Sequence, residues 1–150
     1  GAEGLAVALE FPDLAPWIAR LKAECPVFDA TNVFGAAEYA AARAKGSRVT
    51  RAYVLPLRCR TEANQVMNAV RQPGIALVEV LLAVRNDADL PGEAVTDDVL
   101  AVRNEVVAAL AGWAPDSRNP VNYSSGQRLG FEDFTVWWSD IYSIDFLLAG

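Results

Sequence analysis

The sequence predicts an α+β fold, a mostly antiparallel sheet packed with about three helices in the order α-β-α-β-β-α-β-β, as one domain over residues 1–150. Three observations carry this. Segments with apolar residues three and four apart alternate with segments in which they stand two apart. Hydrophobic residues fill 53% of the 150 positions, enough for one packed core. No repeat, low-complexity run or linker divides the chain.

Asp13 stands before PWIARLKAEC, where Leu14, Trp17, Ile18, Leu21 and Cys25 recur at helical spacing and Pro26 blocks continuation. Pro16 falls in the first turn, where its missing N–H is harmless. VFDATNV reads as a short extended piece, and the Ala-rich AAEYAAARAK as a second helix running to Gly46, with small side chains that allow close approach to a sheet. RVTRAYVLPLRCR alternates, with Tyr53, Leu55 and Leu57 on one face and Val54 on the other, and so reads as a strand. Pro56 cannot donate to a ladder and marks an edge or a bulge. TEANQVMNA is a polar hairpin tip leading into VRQPGIALVEVLLAVRN. There both parities are apolar, Val78, Val80, Leu82 and Val84 against Ile75, Leu77 and Leu81, so this strand needs cover on both faces. Thr96 is the expected N-cap of the next helix, with Asp97 and Asp98 complementing its dipole. Val99, Val102, Val106, Leu110 and Trp113 form its stripe, and Pro115 ends it. The remainder, NYSSGQRLGFEDFTVWWSDIYSIDFLLA, reads as a hairpin turning around Glu132, Asp133 and Phe134.

In the closing strand, VWWSDIYSIDFLL, Asp140 shares a face with Val136, Trp138, Tyr142, Ile144 and Phe146, while Trp137 points the other way with Ile141 and Leu147. Burying one indole removes roughly 200 Å² from water, a gross gain of about 5 kcal/mol. Trp137 therefore needs either a covering helix or a covering subunit. Asp140 is the odd residue on an apolar face and implies a structural or interface partner such as an arginine. Asp145 points away from it with Ser139 and Ser143, so the two carboxylates cannot act on one substrate atom.

A net charge of −6 opposes tight, sequence-independent binding to nucleic acid. The chain has no histidine, which removes Ser/His/Asp and Cys/His nucleophiles and every His-containing metal site. Cys25 and Cys59 stand far apart without CxxC spacing and read as buried free thiols of a reducing compartment. LAVAL near the start lacks the basic flank of a signal sequence, and the longest apolar run, IALVEVLLAV, is interrupted by Glu79 and is half a membrane span; a soluble, cytoplasmically made protein is expected. DADLPGEAVTDD, from Asp87 to Asp98, places acids and Gly92 as an EF-hand loop does, but Pro91, the final Asp in place of Glu and the preceding strand favour a solvated turn. SSG at Ser124 to Gly126 reads as turn chemistry, and no glycine-rich phosphate loop is present. No catalytic residue, metal site or cofactor follows from these residues. A small carboxylate-dependent enzyme with a cleft at Asp140 is the rival in a different class.

ARLKAECPVF from Ala19, AYVLPLR from Ala52, AVRQ from Ala69, LLAVRN from Leu81, GWAP from Gly112 and VWWSD from Val136 occur in an order and spacing by which the chain resembles phage tail terminator (tail completion) proteins over nearly its whole length. The resemblance implies a structural virion protein that forms a ring, typically hexameric, at the head-proximal end of the tail, assembled in the bacterial host cytoplasm. Such a ring caps the tail tube, stops its polymerisation and offers the head-side connector a surface. The implied partners are further copies of the chain, the tail tube protein, the head–tail connector or neck protein and, in a contractile tail, the sheath protein. Genomic DNA would pass through the lumen without specific binding, and no membrane is involved. The rival within virion assembly is a head-to-tail connector or neck protein. Polarity and exposure put the subunit or tail-tube contacts at Arg58, Arg60 and Arg71 around the Arg60 to Arg71 loop, at Asp87 and Glu93 in the turn, and at Trp137 and Asp140.

Overall fold

A computed structural model describes residues 11–42, 49–85, 93–132 and 134–149, with the backbone alone for 93–97. Helix α1 (Ala15–Glu24) starts where the Ala15 N–H donates to Asp13 Oδ1 at 3.0 Å, with Pro16 in its first turn, and it buries Trp17 and Leu21. Pro26 then stops it. The piece expected to be extended is wound instead: Pro26–Phe28 forms a 3-10 turn that drives the Phe28 ring fully into the core. Asp29 and Ala30 follow at φ 51° and 58° and turn the chain outward. Only Val33–Phe34 remains as a strand, β1. Helix α2 (Ala36–Ala42) comes next; its expected stop at Gly46 lies outside the described residues.

Strands β2 (Arg51–Thr61), β3 (Arg71–Arg85), β4 (Asn122–Glu132) and β5 (Thr135–Ala149) complete a five-stranded sheet in the order β1-β2-β3-β5-β4, in which β1 runs parallel to β2 and every other pair is antiparallel. The α+β class and the element order are those read from the sequence. Both readings of Pro56 hold: β1 pairs with β2 only at Ala52 and Tyr53, which leaves Pro56 on an open edge, and the β2/β3 register shifts between Pro56 and Arg58.

Helix α3 (Glu93–Leu110) begins three residues before Thr96, so Thr96 is not its N-cap. Glu93 and Ala94 are strong helix formers and carry the helix back by most of a turn. Its end also falls earlier than Pro115. Gly112, at φ 84°, takes the left-handed position after the last turn and hands its N–H to the Val121 carbonyl at 2.8 Å. Val99, Val102, Val106 and Leu110 are buried as expected, joined by Ala109. Trp113 packs beyond the helix, edge-on to Trp17 at 6.1 Å and beneath the Arg20 guanidinium at 5.1 Å.

The central strand β3 has the two-sided cover its sequence demands. Val78, Val80, Leu82 and Val84 face the main core with α1 and α3, while Leu81 and Ala83 face a second, smaller core with Tyr53 and Trp137. Tyr39 and Ala42 of α2 close that second core. Trp137 stacks on Tyr53 at 6.2 Å and meets Tyr39 edge-on at 6.3 Å, so its cover is a helix of its own chain. Among the described residues no helix is long and apolar enough to cross a membrane.

Candidate assembly surface

One polar cluster lies inside the sandwich. Asp140, on β5, has no exposed surface, and its carboxylate collects four donors from three elements. Arg103 of α3 donates through Nε at 3.0 Å to Oδ2 and through Nη2 at 3.0 Å to Oδ1; the Tyr123 hydroxyl of β4 and the Trp138 Nε1 of β5 each donate to Oδ1 at 3.0 Å. Arg103 also donates to the Tyr123 hydroxyl at 2.8 Å and lies 4.4 Å over the Trp138 ring. A carboxylate buried on an apolar face is tolerable only with such complete satisfaction.

The hydrogen bond to Asp140 raises the Arg103 guanidinium pKa further above its ordinary value, while burial and then Asp140 raise that of the Tyr123 phenol. Nearby, burial and then the Asp140 charge push the Tyr142 phenol far above the usual range. All three shifts carry these groups away from neutrality. With Asp140 sealed, the cluster ties α3 and the edge strand β4 to β5. Among the described residues no group of carboxylates and thiols stands close enough to hold a metal ion.

Three neighbours of Asp140 carry no signal of that role in the sequence. Arg103 sits among the valines of α3 without a distinguishing spacing, and Tyr123 is one alternating residue of an exposed strand. Gly126, read as turn chemistry, lies mid-strand in β4 opposite Asp140, where a β-carbon would collide with Asp140 Oδ1 and the Tyr123 hydroxyl. It is glycine because the cluster occupies the space a side chain would need.

The surface is built differently. The register shift at Pro56/Arg58 pairs Arg58 with Leu77 and Arg60 with Ile75, which moves both arginines onto the sheet face of the second core. Arg71, paired with Ala149, falls on the same face. All three are exposed, and none forms an ion pair with a described residue. Beyond them the β2–β3 tip is braced from within. Asn64 Nδ2 donates to the carbonyls of Val66 at 2.9 Å and Ala69 at 2.7 Å, and its Oδ1 accepts the Arg71 N–H at 2.7 Å. Gln72 Nε2 donates to the Glu62 carbonyl at 2.9 Å. On this frame Met67 stands 87% exposed and Val66 41%.

The remaining expected contacts distribute otherwise. Trp137 and Asp140 are 3% and 0% exposed within the single chain, so neither reaches the surface; their apolar and charged payloads are consumed by Tyr53, Tyr39 and Arg103. Asp87, and with it most of the loop weighed for calcium, lies outside the described residues, as does the side chain of Glu93, whose backbone opens α3.

A sealed polar centre, with the exposed arginines and apolar tip outside it, characterises this α+β domain. The model of the family described as phage tail terminator protein matches residues 7–150, and the chain belongs to that family. It is a phage structural tail protein. Among solved structures, a chain of the virion of native gene transfer agent (GTA) particle aligns with a TM-score of 0.48 and 15% identity, over 91% of this chain and 95% of that one. Among curated proteins no match is found.

Proposed function

We propose that the chain assembles into a ring, of six copies as the family resemblance implies, that caps the head-proximal end of the tail tube, stops tube polymerisation and gives the head-side connector its attachment surface. The observation that carries this reading is the gathering of Arg58, Arg60 and Arg71 on one sheet face of a chain whose net charge is −6. Unlike patches on one subunit are what a heterologous contact needs in order to close into a ring. The partners are further copies, the tail tube protein, the connector or neck protein and, in a contractile tail, the sheath protein. An acidic ring lets DNA through without holding it, since negative walls do not retain a polyanion.

Deleting the gene tests the assignment. Overlong tails, or tails unjoined to heads, are the expected result under electron microscopy. Tails of normal length beside full or leaking heads would instead assign the chain to the neck.

A further inference from the structure

Beside the arginine face, and sharing Asp145 with it, the chain carries a second feature. Between the start of α1, the 115–119 loop and the end of β5 lies a groove of about 530 Å³. Pro16, Pro115 and Leu148 give it an apolar lining over the fully buried Trp17, whose indole N–H has no acceptor among the described residues. Asp13, Asp116 and Asp145 also line it, against one guanidinium, that of Arg118. The β2–β3 tip is its complement: an apolar point at Met67, on a base holding Arg58, Arg60 and Arg71 against Glu62 and, across β3 on the same face, Asp145.

We propose that Met67 of one copy inserts into this groove on the next copy, with the arginine collar facing the groove's carboxylates. The inference rests on the ring reading above and specifies how the ring closes. Within one chain the tip does not use the groove, because Met67 is 87% exposed. The patches are unlike, so the contact is heterologous and repeats from copy to copy. Pairing of sheet edges is the competing way to join copies; β2 and β4 are broken against it, and β5 beyond Ser143, where β4 no longer covers it, lines the groove itself. Pro56 and a register shift interrupt β2, and two register shifts, at Tyr123/Ser125 and Arg128/Gly130, interrupt β4. Asn64 and its bonds hold the tip in shape before contact, which reduces the ordering entropy of docking. Methionine suits an irregular apolar groove because its unbranched thioether adapts.

The experiment uses the full chain, alone and with tail tubes, and reads ring formation by native mass spectrometry and electron microscopy. A mixture of Met67→Cys and Pro16→Cys chains is then oxidised. The expected product is a disulfide-linked dimer, and a chain carrying both substitutions should give a ladder ending at the ring number. Both sites are exposed, so the fold tolerates the changes. Met67→Asp should weaken self-association by about tenfold or more, and Met67→Leu should restore it. Rings that form without the cross-link, with Met67→Asp assembling normally, overturn this contact and leave the ring standing. A Met67→Cys cross-link to tube protein also overturns it. Absence of any wild-type ring, even on tubes, removes both proposals.

Discussion

Gly126 and Asp140 face each other across β4 and β5 so closely that a β-carbon on Gly126 would overlap Asp140 Oδ1 and lie 2.6 Å from the Tyr123 hydroxyl. The glycine thus belongs to the ion-pair site, although it contributes no side chain. Gly126→Ala should destabilise the chain by about 1–3 kcal/mol, the usual cost of forcing atoms into a packed interior. Urea denaturation measures this, and an unchanged midpoint would show that β4 can lift away from the cluster freely.

Asp140→Ala should cost more, about 3–5 kcal/mol, because it strands the Arg103 guanidinium, whose side chain is only 17% exposed. Replacing Arg103 and Asp140 together by leucine should recover much of that loss, since a buried pair gains little over apolar residues of similar volume. Thermal melts of the two single variants and the double variant separate pairing from desolvation. Additive losses would mean that the two side chains act independently.

How far the sequence could be read follows from the range of each interaction. Parity along β5 placed Trp137, Trp138 and Asp140 on their correct sides, because a two-residue period is local. The same logic failed beyond Pro56. One inserted residue reverses every later side chain, so Arg58 and Arg60 joined Ile75 and Leu77 on a face that alternation alone does not give them. The start of α3 at Glu93 was hidden by Thr96, Asp97 and Asp98, which together imitate a cap. Residues such as Arg103 and Gly126 acquire their roles only when α3 and β4 meet over β5, and no local spacing announces that.

The second core is small, so its tryptophan should matter out of proportion. Trp137 packs with Tyr53, Leu81 and Ala83 under a described helix of seven residues, too short to persist without tertiary contacts. Trp137→Ala should therefore cost about 3–5 kcal/mol and release α2 from the sheet. Hydrogen exchange would report the second effect directly. Full protection of 36–42 in the variant would show that α2 is held by something other than this core.

Charge reversal at the exposed arginines separates assembly from folding. Arg60→Glu and Arg71→Glu should leave the melting temperature within a degree or two, since exposed charges without an ion pair to a described residue contribute little to stability. Each should weaken ring formation several-fold and flatten its dependence on salt, because screened surface attraction is what they supply. Analytical ultracentrifugation across a salt series tests both. Unaltered assembly would exclude the two residues from the subunit contact.

The last expectation concerns alkaline pH. Cys25 is fully buried, its thiol donates to the Glu105 carbonyl at 3.5 Å, and burial, followed by the Glu105 charge, raises its pKa from 9.0 to about 11. Below pH 9 the thiol is protonated in both folded and unfolded chains, and its full contribution is present. As pH rises from 9 toward 11 the unfolded chain loses this proton first, so unfolding becomes easier by about 2–3 kcal/mol in all. Tyr123 and Tyr142, also raised, push in the same direction above pH 10, which makes wild type alone ambiguous. Cys25→Ala isolates the thiol: denaturation midpoints of the variant should fall less steeply between pH 9 and 10 than those of wild type. Parallel slopes would show that the thiolate finds solvent without unfolding, contrary to its closed position between α1 and α3.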